Sequence, residues 1–169
     1  LAQHRTLITK SIESAIAYQT SSEIFLGYTT QITQDTVARL SPTFLPTLFQ
    51  PLIEKKIEIR SFDLKEEVYS MAIFSQHSKQ TQVDFRKYSI ETPNRKVPFA
   101  LPSRIKAQLL CLAKSIGLDT GSADFIYTKE GAFIFLEINP VGKFAMTSSP
   151  CNYYLEKKVA AYLKKAITL

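Results

Sequence analysis

The most constraining feature of the sequence is a pair of β-prone runs joined by a turn. The first run covers residues 121–127 and the second covers residues 133–140. Between them, Lys129-Glu-Gly131 has the composition of a turn that joins two strands into an antiparallel hairpin. Pro140 lacks a backbone N–H and therefore ends the ladder of the second strand. The chain is expected to contain an antiparallel sheet that includes this hairpin.

The second strand of this hairpin carries side chains suited to a cation. Alternation along a strand predicts one shared face for Phe133, Phe135, Glu137 and Asn139. The opposite face is apolar and contains Ile134, Leu136 and Ile138. Pairing with the first strand brings Asp124 toward Glu137 and Asn139, and Mg²⁺ takes a few carboxylate or amide oxygens of this kind. The residues therefore favour a magnesium site; the alternative is a solvated strand end in which Asp124 caps a turn.

The same residues resemble a known family. Asp124 followed by residues 133–140 is similar to the metal-binding end of the ATP-grasp ligases. The longer run of residues 135–158 is closer to the grasp-with-spasm peptide maturases, which are related to microviridin-type (graspetide) macrocyclases and to RimK-like ligases. The resemblance covers most of the chain from about Leu7 onward. It implies an α+β fold, namely the C-terminal portion of an ATP-grasp fold with an antiparallel sheet packed against helices.

Length and composition agree with a globular protein. With 169 residues, 45% of them hydrophobic and 21% charged, the chain has the size and composition of one domain. We expect a single ATP-grasp domain over residues 1–169, without the N-terminal domain that precedes it in the family. No apolar run approaches the roughly 20 residues that span a bilayer, and no leader opens the chain. The expectation is a cytoplasmic protein with no membrane partner.

Charge and cysteine content restrict the partners. The net charge of +6 suits an anionic partner, whether a nucleotide, a nucleic acid or an acidic peptide. Cys111 and Cys151 are far apart and have no metal-ligand spacing, so neither a disulfide framework nor a zinc site is expected. His4 and His77 fit no recognisable catalytic triad, so a hydrolase finds no support.

The resemblance implies a nucleotide site in the N-terminal half. Lys10 follows a short β-prone run and matches the family's lysine for the nucleotide phosphates, although the next five residues contain no glycine; a surface lysine is the alternative. Gln50, Leu52 and Ile53 match the linker along the adenine edge, where backbone groups make the hydrogen bonds. Because Pro51 has no N–H, Leu52 or Ile53 would have to donate.

Two arginines and a glutamate complete the set of residues that the resemblance assigns. Alternation predicts one strand face for Glu54, Lys56, Glu58 and Arg60, with Ile57 and Ile59 on the other. The resemblance implies that Glu58 lies near the ribose and that Arg60 contacts phosphate or acyl-phosphate oxygens; a solvated row of charges is the alternative. Arg86, in Asp84-Phe-Arg86, matches an arginine that pairs with the transferred phosphate or the substrate carboxylate. A surface Asp84–Arg86 pair is its alternative.

Other elements follow from local patterns. We expect strands at residues 24–30 and 67–75, and a mobile polar loop at residues 91–98. An apolar stripe predicts a helix over residues 102–116 that Gly117 ends, and Asn152 is placed to cap a last helix.

The function that the resemblance implies is ATP-dependent ligation. Side-chain carboxylates of a ribosomal precursor peptide would be activated as acyl phosphates and joined to hydroxyls or amines as ester or amide cross-links. The expected cofactors are ATP and two Mg²⁺ ions, with Mn²⁺ as a substitute; no nucleic acid is expected, and a homodimer is left open. The alternatives are a RimK-like ligase that adds amino acids, a nucleotide- or peptide-binding module without turnover, and a basic RNA-binding domain.

Overall fold

Hydrophobic alternation and turn chemistry build two groups of strands in this chain. The computed structural model describes residues 6–12, 17–43, 46–88 and 90–167. It divides into two compact units. The first contains Leu1–Glu54 with Ser75–Pro93, and the second contains Lys55–Phe74 with Asn94–Leu169.

The first unit contains short strands. Its elements are β1 (Leu7–Lys10), β2 (Ala17–Gln19), β3 (Ile24–Leu26), β4 (Thr30–Ile32), helix α1 (Gln34–Arg39), β5 (Leu48–Pro51) and a 3₁₀ turn (Phe85–Lys87). Strands β4, β1 and β5 form an antiparallel sheet in that order, and β2 pairs with β3. The single strand expected at residues 24–30 is therefore wrong, because the segment divides between two sheets.

Helix α1 was not anticipated from the sequence. It begins at Thr33, whose hydroxyl accepts a hydrogen bond from the Thr36 N–H, while the Thr36 hydroxyl accepts one from the Thr33 N–H. This reciprocal cap satisfies two backbone donors that the first helical turn leaves without partners.

The second unit is built on five antiparallel strands. Its elements are β6 (Lys55–Leu64), β7 (Glu67–Phe74), β8 (Arg95–Phe99), α2 (Ser103–Ser115), β9 (Thr120–Thr128), β10 (Phe133–Asn139), α3 (Ala145–Cys151) and α4 (Leu155–Ile167). The strand order is β10-β9-β6-β7-β8. The predicted α+β class, with an antiparallel sheet packed against helices, is confirmed.

The edge strand β8 corrects the second half of the loop expected at residues 91–98, whereas residues 91–94 lie outside any strand or helix. Val97 pairs with Ala72 and Pro98 with Met71 of the neighbouring strand. Proline is tolerated in an edge strand because only one side of that strand forms a ladder. Pro98 is therefore compatible with an edge strand as well as with a loop.

Each face of the five-stranded sheet has its own apolar core. On one face, Leu109 of α2 packs with Ile57, Ile59, Ala72, Ala123 and Phe125. On the other, Leu155 of α4 packs with Phe62 and Leu64. The Phe62 side chain is fully buried, and burial of this kind contributes about 1.5–3 kcal/mol. The central strand β6 is therefore buried on both faces.

The end of α2 matches the prediction from the sequence, but the start of α4 does not. Gly117, with φ of 72°, follows α2, as predicted. Asn152 does not cap the last helix, because it ends α3 in the left-handed conformation. The Ser148 hydroxyl takes the capping role for α4: it accepts a hydrogen bond from the Leu155 N–H at 2.9 Å.

Candidate functional site

A β-bulge in β10 separates its phenylalanines from its polar residues. Phe135 lies opposite Phe125, whereas Glu137 lies opposite Asp124, so Leu136 is an extra residue on the bulged strand. The side chain of Phe135 therefore faces α2, with its ring centroid 5.6 Å from that of Phe125. Glu137 lies on the opposite face, beside Asp124.

The single face expected for Phe133, Phe135, Glu137 and Asn139 is therefore wrong. Simple alternation would have placed the polar pair of this strand in the core or its phenylalanines in the site. The inserted Leu136 shifts the alternation by one position, so that both sets of side chains reach a suitable environment.

Three oxygen-bearing side chains meet on the polar face. The Asn139 Nδ2 atom lies 3.1 Å from Glu137 Oε1 and 3.4 Å from Asp124 Oδ2. Two carboxylates and one amide are hard donors of the type that Mg²⁺ binds. In the orientation assigned to the amide, its nitrogen faces the carboxylates, and half a turn about its terminal bond would present Oδ1 instead. The donor set thus fits magnesium.

The amide is needed to complete this set. In the described part of the chain, no group of three His, Cys, Asp or Glu side chains is arranged to hold a metal ion. The metal roles of Asp124, Glu137 and Asn139 rest on their proximity and on their chemistry.

Arg60 lies directly across the strand pair from Asp124. Its Nη1 atom lies 3.0 Å from Oδ1 and 2.9 Å from Oδ2 of that carboxylate. Arg60 is 9% exposed, and its Nε–H has no hydrogen-bond partner among the described residues. A buried donor without a partner costs about 1–3 kcal/mol, and an anionic ligand would remove this cost. Arg60 is therefore suited to bind an oxyanion beside the candidate metal site.

A second bulge, in β6, decides which lysine joins this face. Lys55 lies opposite Thr128 and Ile57 lies opposite Tyr127, so Lys56 is the extra residue. Lys55 is 6% exposed and forms an ion pair with Glu58, whereas Lys56 is exposed. The expectation that Lys56 shares the face of Glu58 is therefore wrong.

Sequence reasoning missed Lys55, although a signal for it was present. Strict alternation would place Lys55 in line with Ile57 and Ile59, which are buried. A lysine in register with buried isoleucines indicates either a buried ion pair or a bulge.

The other predicted nucleotide-binding residues belong to the first unit. Lys10 is partly buried at the end of β1, and Gln50 is exposed on the neighbouring strand β5. The Leu52 N–H donates to the Thr6 carbonyl at 2.7 Å. Leu52 and Ile53 were the two backbone donors expected for adenine. Because the Leu52 N–H is already used within the protein, the Ile53 N–H is the better candidate to bind adenine.

Asp84 fixes the position of Arg86 in the same unit. The carboxylate of Asp84 accepts hydrogen bonds from Nε of Arg86 at 2.9 Å and from Nη2 at 2.5 Å, as well as from the backbone N–H groups of Arg86 and Thr29. Burial opposes ionisation of Asp84, but these hydrogen bonds outweigh it and lower the pKa of the carboxyl group. The guanidinium also lies over the Tyr28 ring, 5.8 Å from its centroid. Arg86 is thus held by an acid and an aromatic ring.

The chain turns tightly after Asn139. A Cβ atom at Gly142 would lie 2.9 Å from the Phe62 ring and 3.0 Å from the backbone carbon of Gly121. Only glycine allows the segment after β10 to pass this close to the sheet. This close approach holds the polar end of β10 against the second unit's core.

Asp63 is a buried acid whose side chain faces away from this polar face. It is 1% exposed, and its carboxylate has no hydrogen-bond partner in the described part of the chain other than its own backbone. Burial raises the pKa of Asp63.

No helix in the described ranges is long and apolar enough to cross a bilayer.

Solved structures with a similar fold are ATP-grasp ligases. A RiPP-associated ATP-grasp ligase from Chryseobacterium gregarium, in complex with ADP and a leader and core peptide, is 30% identical; the match has a TM-score of 0.75 and covers 83% of this chain and 42% of that one. The macrocyclase MdnC from Microcystis aeruginosa, bound with the precursor peptide MdnA, is 35% identical, with a TM-score of 0.66 over 82% of this chain and 42% of its own. PsnB, complexed with a phosphomimetic precursor variant, Mg and ADP, is 20% identical with a TM-score of 0.61 and supports the fold alone.

The fold of the chain is that of an ATP-grasp ligase. Within that class, the two matches at 30% and 35% identity are a RiPP-associated ligase and a macrocyclase, from the branch that this sequence resembles. The chain spans less than half the length of these relatives. Neither a protein-family model nor a curated protein sequence matches it.

Proposed function

We propose that this chain forms part of an ATP-dependent peptide maturase that cross-links a ribosomal precursor peptide. The observation that carries the proposal is a cluster of side chains on one face of the second unit. Arg60 donates a hydrogen bond to Asp124, and Glu137 and Asn139 lie beside this pair. A relative with the same fold was solved with ADP and a leader and core peptide.

The proposed reaction has two steps. In the first, an oxygen of an Asp or Glu side chain of the peptide attacks the γ-phosphorus of ATP, which gives an acyl phosphate and ADP. In the second, a Ser or Thr hydroxyl or a Lys amine of the same peptide attacks the acyl carbon. The bond from that carbon to the phosphate oxygen breaks, phosphate leaves, and the attacking group loses its proton. The peptide loses the elements of one water molecule.

In this proposal, Asp124, Glu137 and Asn139 hold two magnesium ions, for which manganese can substitute. Bound there, magnesium would neutralise charge on the triphosphate. Arg60 and Arg86 bind the oxygens of the transferred phosphate or of the substrate carboxylate, because a guanidinium pairs with two oxygens and keeps its charge. No nucleophile from the protein is required.

The remaining assigned residues bind the nucleotide. Lys10 contacts its phosphates, Glu58 accepts a hydrogen bond from the ribose, and the linker Gln50, Leu52 and Ile53 lies along the adenine. Within this linker, the Ile53 N–H is the donor. We propose a cytoplasmic enzyme that acts on peptide rather than on nucleic acid.

The test combines ATP, Mg²⁺ and a precursor peptide that contains Asp or Glu together with Ser, Thr or Lys. Release of ADP and a peptide lighter by one water per cross-link are expected. Added hydroxylamine should intercept the acyl phosphate as a hydroxamate. The variant Glu137→Ala should abolish all three signals, while Glu130→Ala, in the exposed turn of the same hairpin, should keep them.

Other outcomes would contradict the proposal. A peptide that gains the mass of an amino acid would identify a RimK-like ligase. Nucleotide binding without ADP release on any acidic peptide would identify a binding module.

A further inference from the structure

Lys55 is a buried lysine to which none of the assigned roles applies. It begins β6 and forms an ion pair with Glu58, three residues further along the same strand. Both side chains lie almost fully inside the protein. Taking two charges out of water is unfavourable, so such a pair is a poor means of gaining stability alone.

The bulge in β6 brings Lys55 and Glu58 to the same face of the strand. In a regular strand, residues three apart point to opposite faces, and Lys55 would lie away from Glu58. The extra residue at Lys56 changes the phase, so that Lys55 and Glu58 come to the same face. Arg60 shares that face and makes its bonds to Asp124 there. The backbone therefore departs from regular pairing at the position that brings an ammonium group to Glu58.

We infer that Lys55 is a positioning residue for the nucleotide's ribose, acting through Glu58. This rests on the proposed function, in which Glu58 accepts a hydrogen bond from a ribose hydroxyl. A carboxylate has two oxygens and about four acceptor positions, so the bond from Lys55 to Oε1 leaves room for a second donor on the same group. The ammonium fixes the orientation of the carboxylate. A ribose hydroxyl then meets an oriented, charged acceptor, which makes a stronger hydrogen bond than a neutral one.

The chain supplies a matched control for this inference. Lys56 is the same residue type at the adjacent position, but it is exposed. The two single variants Lys55→Met and Lys56→Met remove one positive charge each from neighbouring positions and differ in whether Glu58 loses its partner.

The experiment measures the Kd of the full chain for ATP and for 2′,3′-dideoxy-ATP in the presence of Mg²⁺. We expect Lys55→Met to weaken ATP binding about tenfold or more while changing dideoxy-ATP binding little, because the lost interaction requires a ribose hydroxyl. Lys56→Met should change neither Kd. Glu58→Gln should reduce the preference for ATP in the same way, and adding Lys55→Met to it should have no further effect.

The outcomes separate the two hypotheses. If Lys55→Met weakens the binding of both nucleotides equally, or leaves both Kd values unchanged as Lys56→Met does, Lys55 has no positioning role. The proposed nucleotide site would still stand. If the unsubstituted chain binds neither nucleotide, the proposed function itself is wrong, and the role of Lys55 falls with it. A conservative variant, Lys55→Arg, should recover part of the preference for ATP, which loss of packing alone would not predict.

Discussion

The Arg60 guanidinium bonds the carboxylate of Asp124 from the adjacent strand, with Nη1 at 3.0 and 2.9 Å from its two oxygens. Asp124 is thus shared between an arginine and a candidate metal site. The same carboxylate must serve a permanent cation and, in our proposal, a divalent one. The two positive charges should therefore compete for it.

Arg60→Met should make this competition measurable. Removing the guanidinium takes the Arg60 ion pair from a largely buried carboxylate, so the free energy of unfolding should fall by about 1–3 kcal/mol. Mg²⁺ should then raise the melting temperature more in the variant than in the unsubstituted chain, since it no longer competes with Arg60. Thermal unfolding with and without Mg²⁺ provides the measurement. Arg104→Met, an exposed position on α2, is the control. Equal responses to Mg²⁺ in both variants would contradict the shared-carboxylate interpretation.

Loss of a metal donor should be visible in binding as well as in turnover. Glu137→Gln and Asn139→Leu each remove an oxygen donor or its charge, so Mg²⁺ binding in the presence of a non-hydrolysable ATP analogue should weaken tenfold or more. Titration calorimetry gives this affinity directly. Glu130→Gln removes a carboxylate from the exposed hairpin turn and should leave the affinity unchanged. Unchanged affinity in all three variants would remove these residues from the metal site.

The bulge in β10 predicts that deletion and substitution of one residue have very different effects. Leu136→Ala should cost little, because the side chain is about half exposed. Deleting Leu136 should instead abolish cooperative unfolding or lower stability by several kcal/mol, because it forces either Phe135 or Glu137 onto the wrong face. Urea unfolding of the two variants is the test. A deletion as mild as the alanine substitution would show that the register is not fixed by the bulge.

Asp63 should make the protein less stable as the pH rises. Its pKa in the folded state is raised above the ordinary value of 3.8, so its contribution to stability is fully present below that value and is lost as the pH rises through the folded-state pKa. Asp63→Asn should therefore stabilise the chain by about 1 kcal/mol or more at about pH 7 and have little effect in acid. Urea unfolding over a pH series measures this. Exposed Asp35→Asn is the control, and a variant less stable at neutral pH would refute the prediction.

Asp84 should have the opposite pH dependence. Its carboxyl pKa is lowered, so the stability that it contributes is present above the ordinary value of 3.8 and is lost as the pH falls through the folded-state pKa. Asp84→Asn should cost about 1–3 kcal/mol at about pH 7, because it weakens the hydrogen bonds to Arg86 and Thr29. The difference from the unsubstituted chain should shrink on acidification. A constant difference across the pH series would mean that the charge of Asp84 contributes nothing.

Much of the second unit follows from adjacent residues. The turn at Lys129-Glu-Gly131, the two strands around it and the apolar stripe of α2 are local features, and the structure has each of them. The turn also brings Asp124 level with the end of β10, but the bulge at Leu136 decides that Glu137 and Asn139 share its face. The family resemblance could also be read from one continuous stretch.

What the sequence determined by itself is therefore the strands, the hairpin and the residue types near its polar end, since these depend on near neighbours along the chain. The tertiary structure decided the phase of the alternation at Leu136 and at Lys56. It thereby decided that Phe135 lies on the α2 side of the sheet and that Lys55 pairs with Glu58. A bulge is a property of two paired strands, so no period within one strand reveals it. The same holds for β8, whose pairing with β7 outweighs the loop-like composition of its own residues.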